Sequence, residues 1–151
     1  MRGALFGSTF EQACATNAES SPIQSRISRQ CFGLFPKLRE FDELMSPDLQ
    51  VLIHELHPEV CFFELNRCKA MLYGKHTTRG VRDRINVLME RNALSSPSML
   101  QALNSGDAVT NDVLDALVAF WRAERIQEGC AVWIPQQPEI DSKGLRMEIW
   151  R

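Results

Sequence analysis

Two short stretches carry residue types whose spacing suits chemistry. In Thr110-Asn111-Asp112-Val113-Leu114-Asp115-Ala116 the two acids are three residues apart, so on a helix they share one face. Carboxylate oxygens so placed suit Mg²⁺ or Mn²⁺. Paired divalent ions hydrolyse phosphodiesters by stabilising the attacking and the leaving oxygen. First-turn acids also stabilise a helix dipole by about 0.3–1 kcal/mol, so Asp112 and Asp115 have a plain structural account as well. The spacing does not choose. The second stretch is His54-Glu55-Leu56-His57-Pro58-Glu59. On a strand, Ile53, Glu55 and His57 share one face, and Glu55 and His57 project together at its end. This is not the zincin pattern, because the second His follows the first by three residues and no helix sets them one turn apart. A zinc site from Glu55, His57 and the distant His76 competes with a simpler reading, a polar strand end whose His57 caps a helix starting at Pro58.

The charges around these stretches are segregated. From Glu40 to Glu64 there are seven acids and no Lys or Arg, whereas from Arg67 to Arg91 seven bases face only Asp83 and Glu90, a net +5. A metal site acting on phosphates needs an acidic cluster beside a basic one. Two solvated faces adjacent in the sequence are the blander account, and charge runs alone favour it.

The elements that must position these residues are mostly helical. Ser8 or Thr9 caps a helix over Phe10–Asn17, and Ser20-Ser21-Pro22 reads as loop. A second helical stretch covers Ser25–Met45, interrupted near Phe35-Pro36 because proline lacks the N–H that the preceding turn requires. Pro47 marks the next loop. Val51–Leu56 reads as a short strand that stops at Pro58, which opens a helix carrying Cys61, Phe62 and Phe63. Thr77 or Thr78 caps a helix to about Arg91, with Val81, Ile85 and Leu88 or Met89 on one stripe. Residues 92–107 are loop-rich, with a helical turn at Met99–Leu103. The clearest helix runs from Asn111 to about Glu128 and ends at Gly129. Val113, Leu114, Leu117 and Trp121 form its apolar stripe, and Asp112, Asp115 and Arg122 are expected to project away from it. Ala131–Ile134 and Arg146–Trp150 are short β-like runs around a Pro- and Gln-rich loop.

Composition closes several classes. The chain has 151 residues, is 44% apolar and 24% charged, and carries 17 Lys and Arg against 19 Asp and Glu, a net −2. That length predicts one domain with a sizeable core and lacks the basic excess of a general nucleic-acid coat protein. The longest apolar run, Ala116–Trp121, has six residues. A membrane helix needs about twenty, so no membrane association is expected. No signal-peptide pattern opens the sequence. Five cysteines without a CxxC pair supply neither zinc-ribbon nor thioredoxin chemistry. They read as reduced, mostly buried thiols of a cytoplasmic protein.

In order along the chain, the segments Ser28-Arg29-Gln30, Pro36-Lys37-Leu38-Arg39-Glu40-Phe41-Asp42, Glu55-Leu56-His57-Pro58-Glu59, Lys75-His76-Thr77-Thr78-Arg79-Gly80, Asp112–Leu117 and Gly144–Trp150 form a further pattern. That ordered set resembles a bacterial family of unknown function whose members are predicted ribonuclease H-like nucleases. The resemblance spans nearly the whole chain. It implies two divalent metals, Mg²⁺ or Mn²⁺, held by Glu55 from a central strand and by Asp112 and Asp115 from a late helix. It also implies that Lys75 and Arg79, beside a helix N-terminus, meet phosphate, with Arg29 as a further substrate contact. The family pattern opens with a glycine-rich strand bearing a first catalytic Asp and two more strands, which this sequence lacks. Its paired late-helix acids read Asn111-Asp112 here.

The expected architecture is therefore α/β: a partial ribonuclease H-like fold, helix-rich, with a reduced sheet, over residues 1–151. Two functions of different class follow. One is a metal-dependent nuclease acting on nucleic acid through Glu55, Asp112 and Asp115. The other is a shortened, catalytically incompetent binding or assembly module, or a truncated gene product. Missing strands would also leave the edge at Val51–Leu56 and the helix face of Val113, Leu117 and Trp121 uncovered, so a homo-oligomer is expected.

Overall fold

The structure is a computed structural model that describes residues 2–21, 23, 25–94, 101 and 110–151. The expected turn at Met99–Leu103 lies outside the described residues, apart from Gln101. The chain divides into two compact units, Met1–Gln50 and Val51–Arg151.

The first unit is helical. α1 (Arg2–Leu5) turns back on α2 (Phe10–Ser20) through Gly7, where a Cβ would come within 2.8 Å of the Ala13 backbone nitrogen. Thr9 caps α2, its side-chain oxygen accepting the Gln12 N–H at 3.2 Å. The helical stretch expected over Ser25–Met45 with an interruption near Phe35-Pro36 is two helices, α3 (Arg29–Gly33) and α4 (Phe35–Leu44). The break falls at Leu34, and Pro36 stands in the first turn of α4, where its missing N–H costs nothing. Phe10, Phe32 and Phe35 stack in series at 5.7 and 5.1 Å between ring centroids. The inward face of α4 carries Phe35, Arg39 and Asp42. Phe35 is buried, Arg39 donates to the carbonyls of Leu5 and Gly7 at 2.7 and 2.9 Å, and Asp42 pairs with Arg2.

The second unit packs α5 (Pro58–Leu65), α6 (Thr78–Glu90) and α7 (Thr110–Gln127) around Cys61, Phe62, Leu65, Leu88, Leu114, Leu117 and Val118. Leu117 is buried, and Val113 and Trp121 pack against the same core. The uncovered helix face expected there is thus closed by α5 and α6. Gly129 ends the last helical region in the left-handed conformation (φ +69°), as expected, with the Cys130 N–H returning to the Arg125 carbonyl at 2.8 Å.

Three expectations are corrected. Arg122 does not project away: it is fully buried, one turn on from Val118 in the row Leu114, Val118, Arg122, and its Nη2 meets Glu64 at 3.0 Å. Val51–Leu56 is not a strand. A single 3₁₀ turn (Leu49–Val51) leads into an irregular segment, and only Leu56 bridges, in parallel, to Trp150. The reason is the brevity of its neighbour. The sheet is two strands, β1 (Trp133–Ile134) and β2 (Ile149–Trp150), antiparallel with Trp133 opposite Trp150, so a third strand finds only one position to pair. Finally, Cys31, Cys68 and Cys130 are exposed, and only Cys14 and Cys61 are buried, all five free.

Seven α-helices and this small sheet make the described residues helix-rich with a reduced β component. Among them no helix is long and apolar enough to cross a membrane.

Candidate functional site

Residues of α5, the loop before α6, and the first turns of α6 and α7 meet at one polar corner of the second unit. Its scaffold is a close backbone approach. A Cβ on Gly80 would lie 2.1 Å from the Gly74 carbonyl oxygen, so only glycine lets the loop fold against the start of α6. Thr77 fixes the same contact: its hydroxyl donates to the Gly74 carbonyl at 2.8 Å and accepts the Gly80 N–H at 3.0 Å, capping α6. Arg84, its side chain 3% exposed, ties the pieces together. It grips both Glu59 carboxylate oxygens at 2.7 and 2.9 Å and donates to the carbonyls of Gly80 and Tyr73 at 2.9 and 3.1 Å.

The loop and the first turn of α6 then present three side chains. Lys75 reaches Asp115 in α7, with Nζ 2.8 Å from Oδ2. The hydrogen bond to Asp115 holds the Lys75 ammonium above the usual lysine pKa. Partial burial opposes this, and the charges of Asp115, Glu59 and Asp112 add to it. His76 Nδ1 lies 3.0 Å from Asn111 Nδ2, and Asn111 Oδ1 is buried without a hydrogen-bond partner. Arg79 is exposed, its guanidinium 4.1 Å over the Tyr73 ring.

Of the residues singled out from sequence, Lys75, Arg79, Asp112 and Asp115 therefore share this corner. Glu55 is exposed, and its carbonyl accepts the Trp150 N–H at 2.8 Å beside the sheet. Among the described residues no group of three or more His, Cys, Asp or Glu side chains is arranged to hold a metal ion. Glu55, Asp112 and Asp115 form no such group, and neither do Glu55, His57 and His76. What is present is two neighbouring carboxylates, one already paired with a lysine, whereas Mg²⁺ takes six oxygens. The described donor set does not fit the two-metal arrangement. His57 stands at the cap of α5, but its side chain makes no capping hydrogen bond. Arg29 lies in the first unit, exposed, 4.5 Å over the Phe10 ring.

Tyr73, Glu59 and Arg84 were not singled out for the site. A signal for Arg84 exists: Gly80, Arg84 and Leu88 recur every four residues, and all three are buried. Tyr73 leaves no periodic trace, since its place comes from the Gly74–Gly80 approach.

A second hollow, an open groove of ≈ 340 Å³, is lined by Val51, Leu52, His54, Leu56, Ala123, Ile126 and Gln127. Its lining holds no Asp, Glu, Lys or Arg.

No curated protein matches the sequence, and no solved structure does. A family model described as "Protein of unknown function (DUF429)" matches residues 1–140, most of the chain, and the protein belongs to that family.

Proposed function

We propose that this DUF429 protein binds single-stranded or unpaired nucleic acid at the polar corner of its second unit. The observation that carries this reading is the exposed Arg79 guanidinium stacked 4.1 Å over Tyr73 in the first turn of α6. A planar cation on an aromatic ring offers a face on which a base stacks, as unpaired bases do on aromatic and arginine planes. The adjoining helix N-terminus and Lys75 favour the phosphate of the same nucleotide.

A second reading, hydrolysis of phosphodiesters by a ribonuclease H-like enzyme with Mg²⁺ or Mn²⁺ through Glu55, Asp112 and Asp115, rests on the ordered family resemblance. Two of those acids also lie close enough to Lys75 to raise its proton affinity. It needs a third carboxylate brought to the pair, so binding without catalysis is the simpler reading.

Fluorescence anisotropy with a labelled single-stranded oligonucleotide in EDTA tests the first. Tyr73→Ala should weaken binding about 5- to 150-fold, the worth of one stacked base. Arg79→Ala should weaken it and flatten the salt dependence by about 0.7 in log–log slope. Binding unchanged by either substitution overturns the reading. Mn²⁺-dependent cleavage of the same oligonucleotide, abolished by Asp112→Asn, would establish the second.

A further inference from the structure

α4 faces two ways. Its inward residues Phe35, Arg39 and Asp42 are engaged within the first unit, as described above. The opposite side carries Leu34, Leu38, Phe41 and Leu44, spaced by four, three and three residues, the period of a helix that packs against another helix. Yet these four are 54%, 43%, 49% and 71% exposed. Single exposed leucines are ordinary, whereas a continuous stripe of large apolar side chains marks an interaction surface.

The charges beside the stripe identify what covers it. Lys37 and Glu40 lie one turn apart along the same flank, both exposed, and neither makes an ion pair among the described residues. Turned end for end about a two-fold axis, that flank sets each Lys37 against the other copy's Glu40. Laid parallel about a two-fold axis, the two flanks fall on opposite sides of the seam and the Lys37–Glu40 pairs do not form. The stripe is thus complementary to itself in the antiparallel sense, which is the requirement for an isologous contact.

We propose that a second copy of this chain packs on this face, with the two α4 helices antiparallel, the apolar stripes in contact and two symmetric Lys37–Glu40 pairs along the rim. A contact built on one short helix from each copy is small, so the dimer belongs to the weak, micromolar class.

Analytical ultracentrifugation of the full chain from about 1 to 100 µM tests it, a range chosen to bracket that affinity. The expected result is a reversible shift from the 17.2 kDa monomer to twice that mass. Leu38→Glu, at a position already exposed, should hold the chain monomeric with an unchanged circular dichroism spectrum. Lys37→Glu and Glu40→Lys should each loosen the dimer by about tenfold, since each replaces two attractions with two repulsions. The double exchange Lys37→Glu/Glu40→Lys should recover the parent affinity to within about twofold. A monomer throughout the range overturns the proposal. So does a dimer that survives Leu38→Glu, or one that the double exchange fails to restore.

Discussion

Lys75 and Asp115 show how a single pair couples stability to pH at the candidate site. Both side chains are partly exposed, 34% and 22%, so solvent screens the pair and its net worth is that of a surface ion pair, about 0.2–1 kcal/mol. The sign of its pH dependence follows from the direction of the shift. Folding raises the Lys75 pKa, so the contribution is complete below the unfolded value, near 10.5, and is lost as pH climbs through the higher folded value. A double-mutant cycle of Lys75→Met and Asp115→Asn should therefore give a coupling of about 0.2–1 kcal/mol at pH 7 that, on raising the pH, persists until about pH 10.5 and is lost beyond it. A coupling that vanishes near neutrality would mean that the pair does not persist in solution. Lys75, Arg79 and Asp115 were legible because their neighbours form an ordered, recognisable set. Glu59, Tyr73 and Arg84 were not, because what aligns them is hydrogen bonds to loop carbonyls, and no spacing rule encodes those.

The helices from α2 onward are legible from their caps and periods, α1 is not, and the error at Arg122 comes from an apolar stripe drawn through Val113, Leu114, Leu117 and Trp121 without Val118. Arg122 stands in the row Leu114, Val118, Arg122, and all three are buried. A stripe without Val118 puts Arg122 toward solvent, whereas the stripe that includes Val118 turns it inward, against Glu64 and 4.6 Å from the Trp121 ring. Nε and Nη1 of this guanidinium are buried without hydrogen-bond partners, and the nearby Cys61 thiol is pushed up in pKa by burial, with the arginine opposing. A buried arginine with two unpaired nitrogens is an expensive way to fill a core. Arg122→Ala removes the pair with Glu64 and opens a void between α5 and α7, and should cost about 3–5 kcal/mol. Arg122→Met/Glu64→Leu replaces both partners by apolar side chains, leaves neither stranded N–H groups nor an unpaired carboxylate, and should be close to neutral, or stabilising by about 1 kcal/mol. Urea unfolding of the two variants checks this, and equal losses in both would show that the guanidinium itself supports the helix packing. The strand expected at Val51–Leu56 failed for a different reason. Alternating side chains mark a segment able to pair, but pairing depends on a partner, and β2 supplies a ladder only two residues long.

The pattern of caps and hydrophobic periods along the chain predicts a helix-rich fold with a reduced sheet, and the described residues have that character. It did not reveal the boundary near Gln50, because division into units depends on which helices pack together, and the Ser46-Pro47 loop looks like any other. The two units differ in what they bury. In the first, the buried apolar residues among those described are Ala4, Ala13, Cys14, Phe35 and Met45, three of them small. The second holds the contiguous cluster of Cys61, Phe62, Leu65, Leu88, Leu114, Leu117 and Val118. Chains of about fifty residues bury too small a share of their surface to be robust alone, whereas about a hundred residues around one core suffice. Residues 51–151 expressed alone should therefore unfold in a single cooperative transition and retain oligonucleotide binding at Tyr73 and Arg79, since every residue of that corner lies within them. Without α4 the same fragment should remain monomeric at concentrations where the full chain self-associates. Scanning calorimetry, anisotropy and sedimentation on one preparation separate the three claims. A broad, non-cooperative melt would show that the second unit's core is insufficient by itself. A fragment that folds and binds yet still dimerises would move the self-contact off α4 and onto the second unit, where the exposed Val51, Leu52 and Ile53 would be the surface to test next.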